Sequence, residues 1–133
     1  MRPFLRPIVV ELVQGTAELK PERVLSCVFG VKEDEAELYL KLLENSEEAP
    51  FTVEDVAEII NRSRSTAQKM LQSLVRVGMV ERERETLPGG GRRYLYRPAP
   101  WEKVKELGLG NLRIVHEEVE KWFREFTPHR GGR

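Results

Sequence analysis

Apolar side chains recur at intervals of three and four residues over most of this chain, which is the spacing of one face of an α-helix. The pattern predicts helices near residues 7–14, 21–29, 33–45, 53–61, 64–77 and 109–126. The β-branched run Ile8–Val10 is also compatible with a strand, so helix and strand are both alternatives for residues 8–14.

Capping signals mark the two central helices. Thr52 and Asp55 form a Thr-x-x-Asp capping pattern ahead of the first of them. Ser63 can cap the second, and Gly78 follows it at the position where many helices end in a left-handed residue. Only a few residues separate the two helices, which predicts a tight turn between them.

Two extended runs follow, Val80–Thr86 and Arg92–Arg97, joined by the Pro/Gly-rich segment 87–91. Extended runs joined by such a segment are typical of a β-hairpin. Two helices with a tight turn and a following hairpin predict a mainly α fold with a small β-hairpin, a winged helix-turn-helix flanked by N- and C-terminal helices that form a dimer.

The expected organisation has four parts. Residues 1–29 form a helical extension, residues 30–100 the winged helix-turn-helix, residues 101–126 the dimerisation helices, and residues 127–133 a disordered tail.

The balanced charge, 22 Lys+Arg against 22 Asp+Glu, conceals a separation along the chain. Residues 32–58 carry ten acids and two bases, whereas residues 61–97 carry nine bases and three acids. No acid occurs between Asn61 and Val80. This layout excludes a uniformly cationic protein and indicates a local surface that faces a polyanion.

The second helix of the pair would enter the major groove of DNA, with small and polar residues outward. Arg64 and Gln68 have the bidentate geometry that suits guanine and adenine, whereas Lys69 and Arg76 suit phosphates. Arginines beside the glycine tip of the wing suit the DNA backbone or minor groove. The predicted DNA-binding residues are Arg62, Ser63, Arg64, Ser65, Thr66, Gln68, Lys69, Gln72, Arg76, Arg92 and Arg93.

The last predicted helix carries apolar residues at spacings of three, four, three and four, which is a heptad seam. A terminal helix often packs on its own domain, but a seam ending in large aromatic residues favours pairing with a second copy. The predicted dimer interface comprises Leu112, Val115, Val119, Trp122, Phe123 and Phe126.

Residues 30–43, GVKEDEAELYLKLL, resemble the opening helix of TrmB-type archaeal transcriptional regulators. Residues 53–80 are similar to the helix-turn-helix shared by the TrmB and MarR families, and residues 93–98 resemble the second wing strand of TrmB-type domains. Lys32 departs from the Thr or Ser that usually caps the opening helix. Full-length TrmB regulators add a large sugar-binding domain, whereas about 28 residues follow the resembling region here. The resemblance therefore implies a stand-alone, single-domain regulator that dimerises through terminal helices, with no sugar site carried over.

The function predicted on these grounds is a homodimeric, sequence-specific regulator that binds double-stranded DNA at an inverted repeat. The alternative is a winged-helix module that binds other proteins, because one fold serves both uses. Protein-binding versions tend to expose acids or apolar residues on the helix 64–76, and this chain has neither there.

Other chemistry finds little support in the sequence. The single cysteine, Cys27, lies in an apolar run and is expected to be a buried small residue, with a redox-sensing thiol as the alternative. His116 and Glu120 lack further metal ligands, so no metal site is expected. The sequence has no glycine-rich phosphate loop before a helix and no Ser or Cys nucleophile with a plausible partner His, so no cofactor or enzymatic activity is expected. No membrane segment or signal peptide is expected, which predicts a cytoplasmic protein. A small-molecule effector bound in a pocket between the domain and the dimer helices is a further alternative.

Overall fold

The computed structural model describes residues 5–129, with side chains from Ile8 onward. Within that range the chain forms six α-helices, a short 3-10 helix at Ser46–Glu48 and one antiparallel two-stranded sheet. The helices are α1 (Leu5–Gln14), α2 (Pro21–Phe29), α3 (Glu33–Glu44), α4 (Val53–Ile60), α5 (Arg64–Arg76) and α6 (Trp101–Glu125). The strands are β1 (Val80–Thr86) and β2 (Arg92–Pro98). Residues 127–129 of the predicted tail belong to no helix or strand, and its residues 130–133 lie outside the described range.

The N-terminal segment is helical, which settles the choice between helix and strand for residues 8–14. The helix begins at Leu5, two residues before the predicted start, so Pro7 occupies its third position. Proline is tolerated there because the first four N–H groups of a helix have no partner within it. The next helix, α2, begins at Pro21 and ends at Gly30, which has the left-handed conformation with φ of 75°.

The helix α3 begins without the usual hydroxyl cap. The backbone N–H of Lys32 donates instead to Glu35 Oε1 at 2.9 Å. Glu35 is buried and lies in a first turn that also contains two other acids, where the helix dipole favours negative charge. A carboxylate in the third position therefore stabilises the start of the helix where the sequence has no capping Thr or Ser.

A single core lies between α2, α3, α4, α5 and the base of the hairpin. Phe51 joins the sheet by a bridge to Tyr96, with both backbone N–H···O distances at 2.8 Å. Tyr39 is fully buried in α3, and its hydroxyl donates to the carbonyl oxygen of Ala99 at 2.9 Å. Burial raises the pKa of this hydroxyl, which therefore stays protonated and acts as a donor. This bond ties α3 to the connection between the wing and α6.

The helix α6 is longer than the predicted span of 109–126, because it begins at Trp101. Gly108 and Gly110 lower the intrinsic helix propensity, and for that reason the sequence pattern alone predicts a later start. At Gly108 a β-carbon would lie 3.5 Å from the ring of Phe29, so the aromatic ring packs directly on the helix backbone. This contact and the full burial of Val104 hold the first two turns of α6 on the domain.

Candidate nucleic-acid interface

The turn between α4 and α5 consists of three residues, Asn61, Arg62 and Ser63. Asn61 ends α4 in the left-handed conformation with φ of 55°, which asparagine adopts more readily than most residues. Ser63 caps α5 as predicted, because its Oγ accepts the backbone N–H of Thr66 at 3.1 Å. The turn is therefore the compact joint of a helix-turn-helix, and α5 is its second helix.

The inner face of α5 is locked to the core. Ala67, Leu71 and Leu74 are fully buried, and Met70 is nearly so. The opposite face is exposed except at Gln68, which is half-buried. The exposed residues of this face are Arg64, Ser65, Lys69, Gln72 and Arg76. The structure thus brings the predicted contact residues of α5 together on one side of a rigidly held helix.

The two predicted base-reading residues of α5 are already joined to each other and to an acid. Arg64 Nε donates to Glu54 Oε2 at 2.7 Å, and Arg64 Nη1 donates to Gln68 Oε1 at 3.3 Å. The bond from Arg64 lowers the pKa of Glu54, with smaller contributions that include the nearby charge of Arg93. Glu54 is therefore ionised at neutral pH, and it was not among the predicted site residues.

The other predicted contact cations differ in how they are paired. Arg62 lies 3.7 Å from Asp34 of α3, which is a loose ion pair. Lys69, Arg76 and Arg92 make no ion pair with any residue in the described part of the chain. These three side chains are available to an external anion without first leaving a protein carboxylate.

The strand register gives the wing two different faces, because residues directly opposite in an antiparallel pair point to the same side. One face carries Arg84 opposite Tyr94, Thr86 opposite Arg92, and Arg82 nearer the core. The guanidinium carbon of Arg82 lies 4.2 Å from the centre of the Tyr94 ring, and that of Arg84 lies 6.0 Å away. This acid-free face is called the cationic wing face below; its residues are Arg82, Arg84, Arg92 and Tyr94.

The opposite face of the wing holds all three glutamates of β1, and each is paired. Arg93 Nε donates to Glu85, Arg97 lies 3.5 Å from Glu83, and Lys103 lies 3.0 Å from Glu81. The two arginines predicted at the wing tip, Arg92 and Arg93, are therefore on different faces, and only Arg93 is bound to an acid. Arg82 and Arg84 were missed as candidates, although the strict alternation of arginine and glutamate in β1 carried that signal.

The loop 87–91 closes the wing by backbone hydrogen bonds. The N–H of Leu87 donates to the carbonyl oxygen of Gly91 at 2.7 Å, and the N–H of Gly90 donates to the carbonyl oxygen of Leu87 at 3.0 Å. Gly90 has φ of 96°, a conformation that residues with a β-carbon rarely adopt. The wing therefore ends in a short turn that carries no side chain at three consecutive positions.

The predicted seam on α6 is exposed, with the exposed fraction between 48% and 71% for its six residues. Trp122 stacks on Phe126 with ring centres 4.9 Å apart and meets Phe123 edge-on at 5.0 Å. Among the described residues of α6 only Val104 is buried. Apart from Leu112, which also faces α2, the seam is therefore directed away from the domain of the same chain.

An apolar cavity of about 160 Å³ lies between α2 and the first half of α6. It is lined by Val24, Val28, Phe29, Trp101 and Leu112, among others, and by the stem of Lys105. Leu112 belongs to both this lining and the seam. The cavity lies between the domain and the terminal helix, the region in which an effector pocket is an alternative prediction from the sequence.

Residues suited to other chemistry are not assembled into a site. The described residues contain no group of three or more His, Cys, Asp or Glu side chains placed to hold a metal ion. His116 lies 3.4 Å from Glu120 on the exposed surface of α6. Cys27 is half-buried rather than fully buried, and its partial burial raises the pKa of the thiol, which disfavours the reactive thiolate. None of the helices within residues 5–129 is long and apolar enough to cross a bilayer.

Known proteins share both the sequence pattern and the fold. The family model of the sugar-specific transcriptional regulator TrmB matches residues 25–102. The uncharacterized protein MJ1503 of Methanocaldococcus jannaschii is 33% identical over 104 residues, which cover 78% of this chain and 76% of that protein.

Two solved structures have the same fold. A possible transcriptional regulator from Methanosarcina mazei superimposes with a TM-score of 0.71 at 16% identity, covering 85% of this chain and 93% of the other. The ST1889 protein of Sulfolobus tokodaii superimposes with a TM-score of 0.58 at 21% identity, covering 72% and 91% of the two chains. The predicted winged-helix fold is confirmed.

Proposed function

Because the chain belongs to the TrmB family of transcriptional regulators, we propose that it binds double-stranded DNA sequence-specifically, as a homodimer on an inverted repeat. The observation that carries this proposal is the outward face of α5. The outward side chains of this 13-residue helix are all basic or neutral and polar, while its inner face is buried in the core. A helix of that width and charge fits the major groove.

The roles within α5 follow from reach and geometry. Arg64 and Gln68 lie near the N-terminus of the helix, the part that meets base edges in this type of domain. Ser63, Ser65 and Thr66 offer hydroxyls and the free backbone N–H groups of the helix start to a phosphate. Lys69 and Arg76, which have no acidic partner in the described structure, suit backbone phosphates on either side.

The wing supplies a second contact through its cationic face. Arg82, Arg84 and Arg92 stand together without a carboxylate, and the ring of Tyr94 restrains the first two. Restrained arginines give up less side-chain freedom when they bind an anion. This face supports a contact with the sugar-phosphate backbone beside the groove that α5 occupies.

Dimerisation through α6 is supported by the apolar area that the seam leaves in water. Each seam residue is about half exposed, so covering it gains roughly 1–2 kcal/mol. Six residues on each of two copies give a gross gain on the order of 12–24 kcal/mol, against an association cost of about 4–15 kcal/mol. The balance favours a dimer at working concentrations, and a two-fold dimer binds half-sites about 10–10.5 base pairs apart.

The proposal is tested by selecting bound duplexes from a random-sequence library and measuring their affinity against random DNA at fixed salt. An enriched inverted repeat bound on the order of 10³-fold or more above random DNA is the expected result. Binding that is weak and equal for all sequences would leave the protein-interaction alternative as the better account of the fold.

A further inference from the structure

We propose that Glu54 is a specificity-determining residue: by holding Arg64, and through it Gln68, it commits both side chains to bases and withholds Arg64 from phosphates. Glu54 lies in the first turn of α4, the helix that precedes α5 with its proposed base-reading residues Arg64 and Gln68. The inference rests on the proposed DNA-binding function and concerns how that site discriminates.

The first step is the order of bonds in this chain of three residues, here named the reader chain: Glu54, Arg64 and Gln68. Arg64 uses its Nε–H on Glu54 at 2.7 Å and one Nη1–H on Gln68 Oε1 at 3.3 Å. A guanidinium has five N–H groups, so three remain. Two of these are enough for bidentate pairing with guanine.

The second step concerns the amide of Gln68. Its oxygen already accepts a bond from Arg64, so its amino group is the end left to donate. Donation from the amide needs an acceptor on the base edge, such as adenine N7, guanine O6 or N7, or thymine O4. Bidentate pairing with adenine, the expectation from residue type alone, also needs the amide oxygen. The amide oxygen keeps a second lone pair for that purpose, so the bond from Arg64 fixes the orientation of the amide and leaves pairing with adenine available.

The third step is the effect of the carboxylate on DNA without the correct bases. Glu54 is 66% exposed and lies beside Arg64 at the start of α5, the part of the helix proposed to meet DNA, so its charge would repel phosphates there. For Arg64 to bind a phosphate instead, it must leave Glu54 uncovered beside that phosphate. On the correct site Arg64 keeps its bond to Glu54 and gains the base contact. The carboxylate therefore weakens non-specific binding more than specific binding.

A second cation also favours the ionised form of Glu54. Arg93 is close enough to lower the pKa of Glu54, and it is itself bound to Glu85 of the wing. If Glu54 were instead an ordinary exposed partner of an ion pair, its removal would leave discrimination between DNA sequences unchanged.

The test is Glu54→Gln, which keeps the shape and removes the charge. Affinity for the selected site and for a random duplex is measured by fluorescence anisotropy at several salt concentrations. We expect random-duplex affinity to rise about 3–10-fold, selected-site affinity to change by less, and the specificity ratio to fall accordingly. The salt slope on random DNA should steepen by up to about 0.9, because Arg64 becomes one more phosphate contact.

The matched control is Glu58→Gln, an exposed carboxylate one turn further along α4 that makes no ion pair in the described structure. A general charge effect would shift both variants equally, and that result would overturn the proposal. An unchanged specificity ratio in Glu54→Gln would also overturn it. In an Arg64→Ala background, Glu54→Gln should have no effect on the ratio. If the parent protein enriched no site at all, the proposed function would fail instead.

Discussion

The two faces of the wing can be compared with two double variants that lose the same amount of positive charge. Replacing Arg82 and Arg84 by Ala removes two cations from the cationic wing face. Replacing Arg93 and Arg97 removes two cations that form ion pairs with glutamates on the other face. Both double variants give up the same charge from the same hairpin, so any difference between them reports where the arginines lie.

The magnitude follows from counterion release. Removing one phosphate contact lowers the slope of log affinity against log salt by roughly 0.9, so Arg82→Ala/Arg84→Ala should lower it by about 1.8 if each arginine binds one phosphate. A slope difference of about 1.8 makes the affinity gap between parent and variant about 12-fold narrower at 200 mM than at 50 mM salt. Arg93→Ala/Arg97→Ala should lower the slope by less than about 0.9, because each of its arginines already neutralises a carboxylate.

The measurement is an anisotropy titration of one labelled duplex at four or more salt concentrations, with circular dichroism to establish that both variants fold. Equal changes of the salt slope in the two variants would refute the proposal that the cationic wing face is the one that contacts DNA. A larger change in Arg93→Ala/Arg97→Ala would mean that the glutamate-bearing face meets the DNA.

The remaining predictions concern the dimer, the core and base readout. Trp122→Glu should turn a micromolar dimer into a monomer in light scattering, whereas Ile114→Glu, which lies off the seam, should stay dimeric; a monomeric parent contradicts this. Tyr39→Phe should lower the free energy of unfolding in urea by about 1–3 kcal/mol, because a buried carbonyl is left without its hydroxyl donor, and an unchanged midpoint contradicts it. Gln68→Ala should cost about 1–3 kcal/mol at one base pair of each half-site, whereas Lys69→Ala should weaken binding to all sequences alike. Equal losses on every single-base variant of the site would make Gln68 a phosphate contact.

Features that depend on neighbours in sequence were predictable. The caps at Thr52 and Ser63 need partners only three residues away, and both form as expected. The start of α6 was misplaced because a glycine in a helix is unfavourable in isolation, and its compensation comes from Phe29, nearly eighty residues earlier in the chain. Local propensity carries no information about such a contact.

The candidate site divides in the same way. The residue types on the outward face of α5 were found, because the inward positions could be identified from apolar spacing. The pairing of Arg64 with Glu54 was not, since ten residues and a helix joint separate them. The different faces of Arg92 and Arg93 follow from strand alternation alone and could have been predicted.

A chain with no net charge can still bind a polyanion if its acids and bases point in different directions. In β1 each glutamate adjoins an arginine in sequence, yet the pleat of the strand sends the two types to opposite sides. The acids of the wing then pair with Arg93, Arg97 and Lys103, which keeps their charge away from the cationic face. In α4 and α5 the same separation is incomplete, because Glu54 stands directly beside Arg64. Under the proposed DNA-binding function, an acid beside Arg64 weakens binding to DNA in general, so the position of Glu54 fits a role in discrimination between sequences better than a role in affinity.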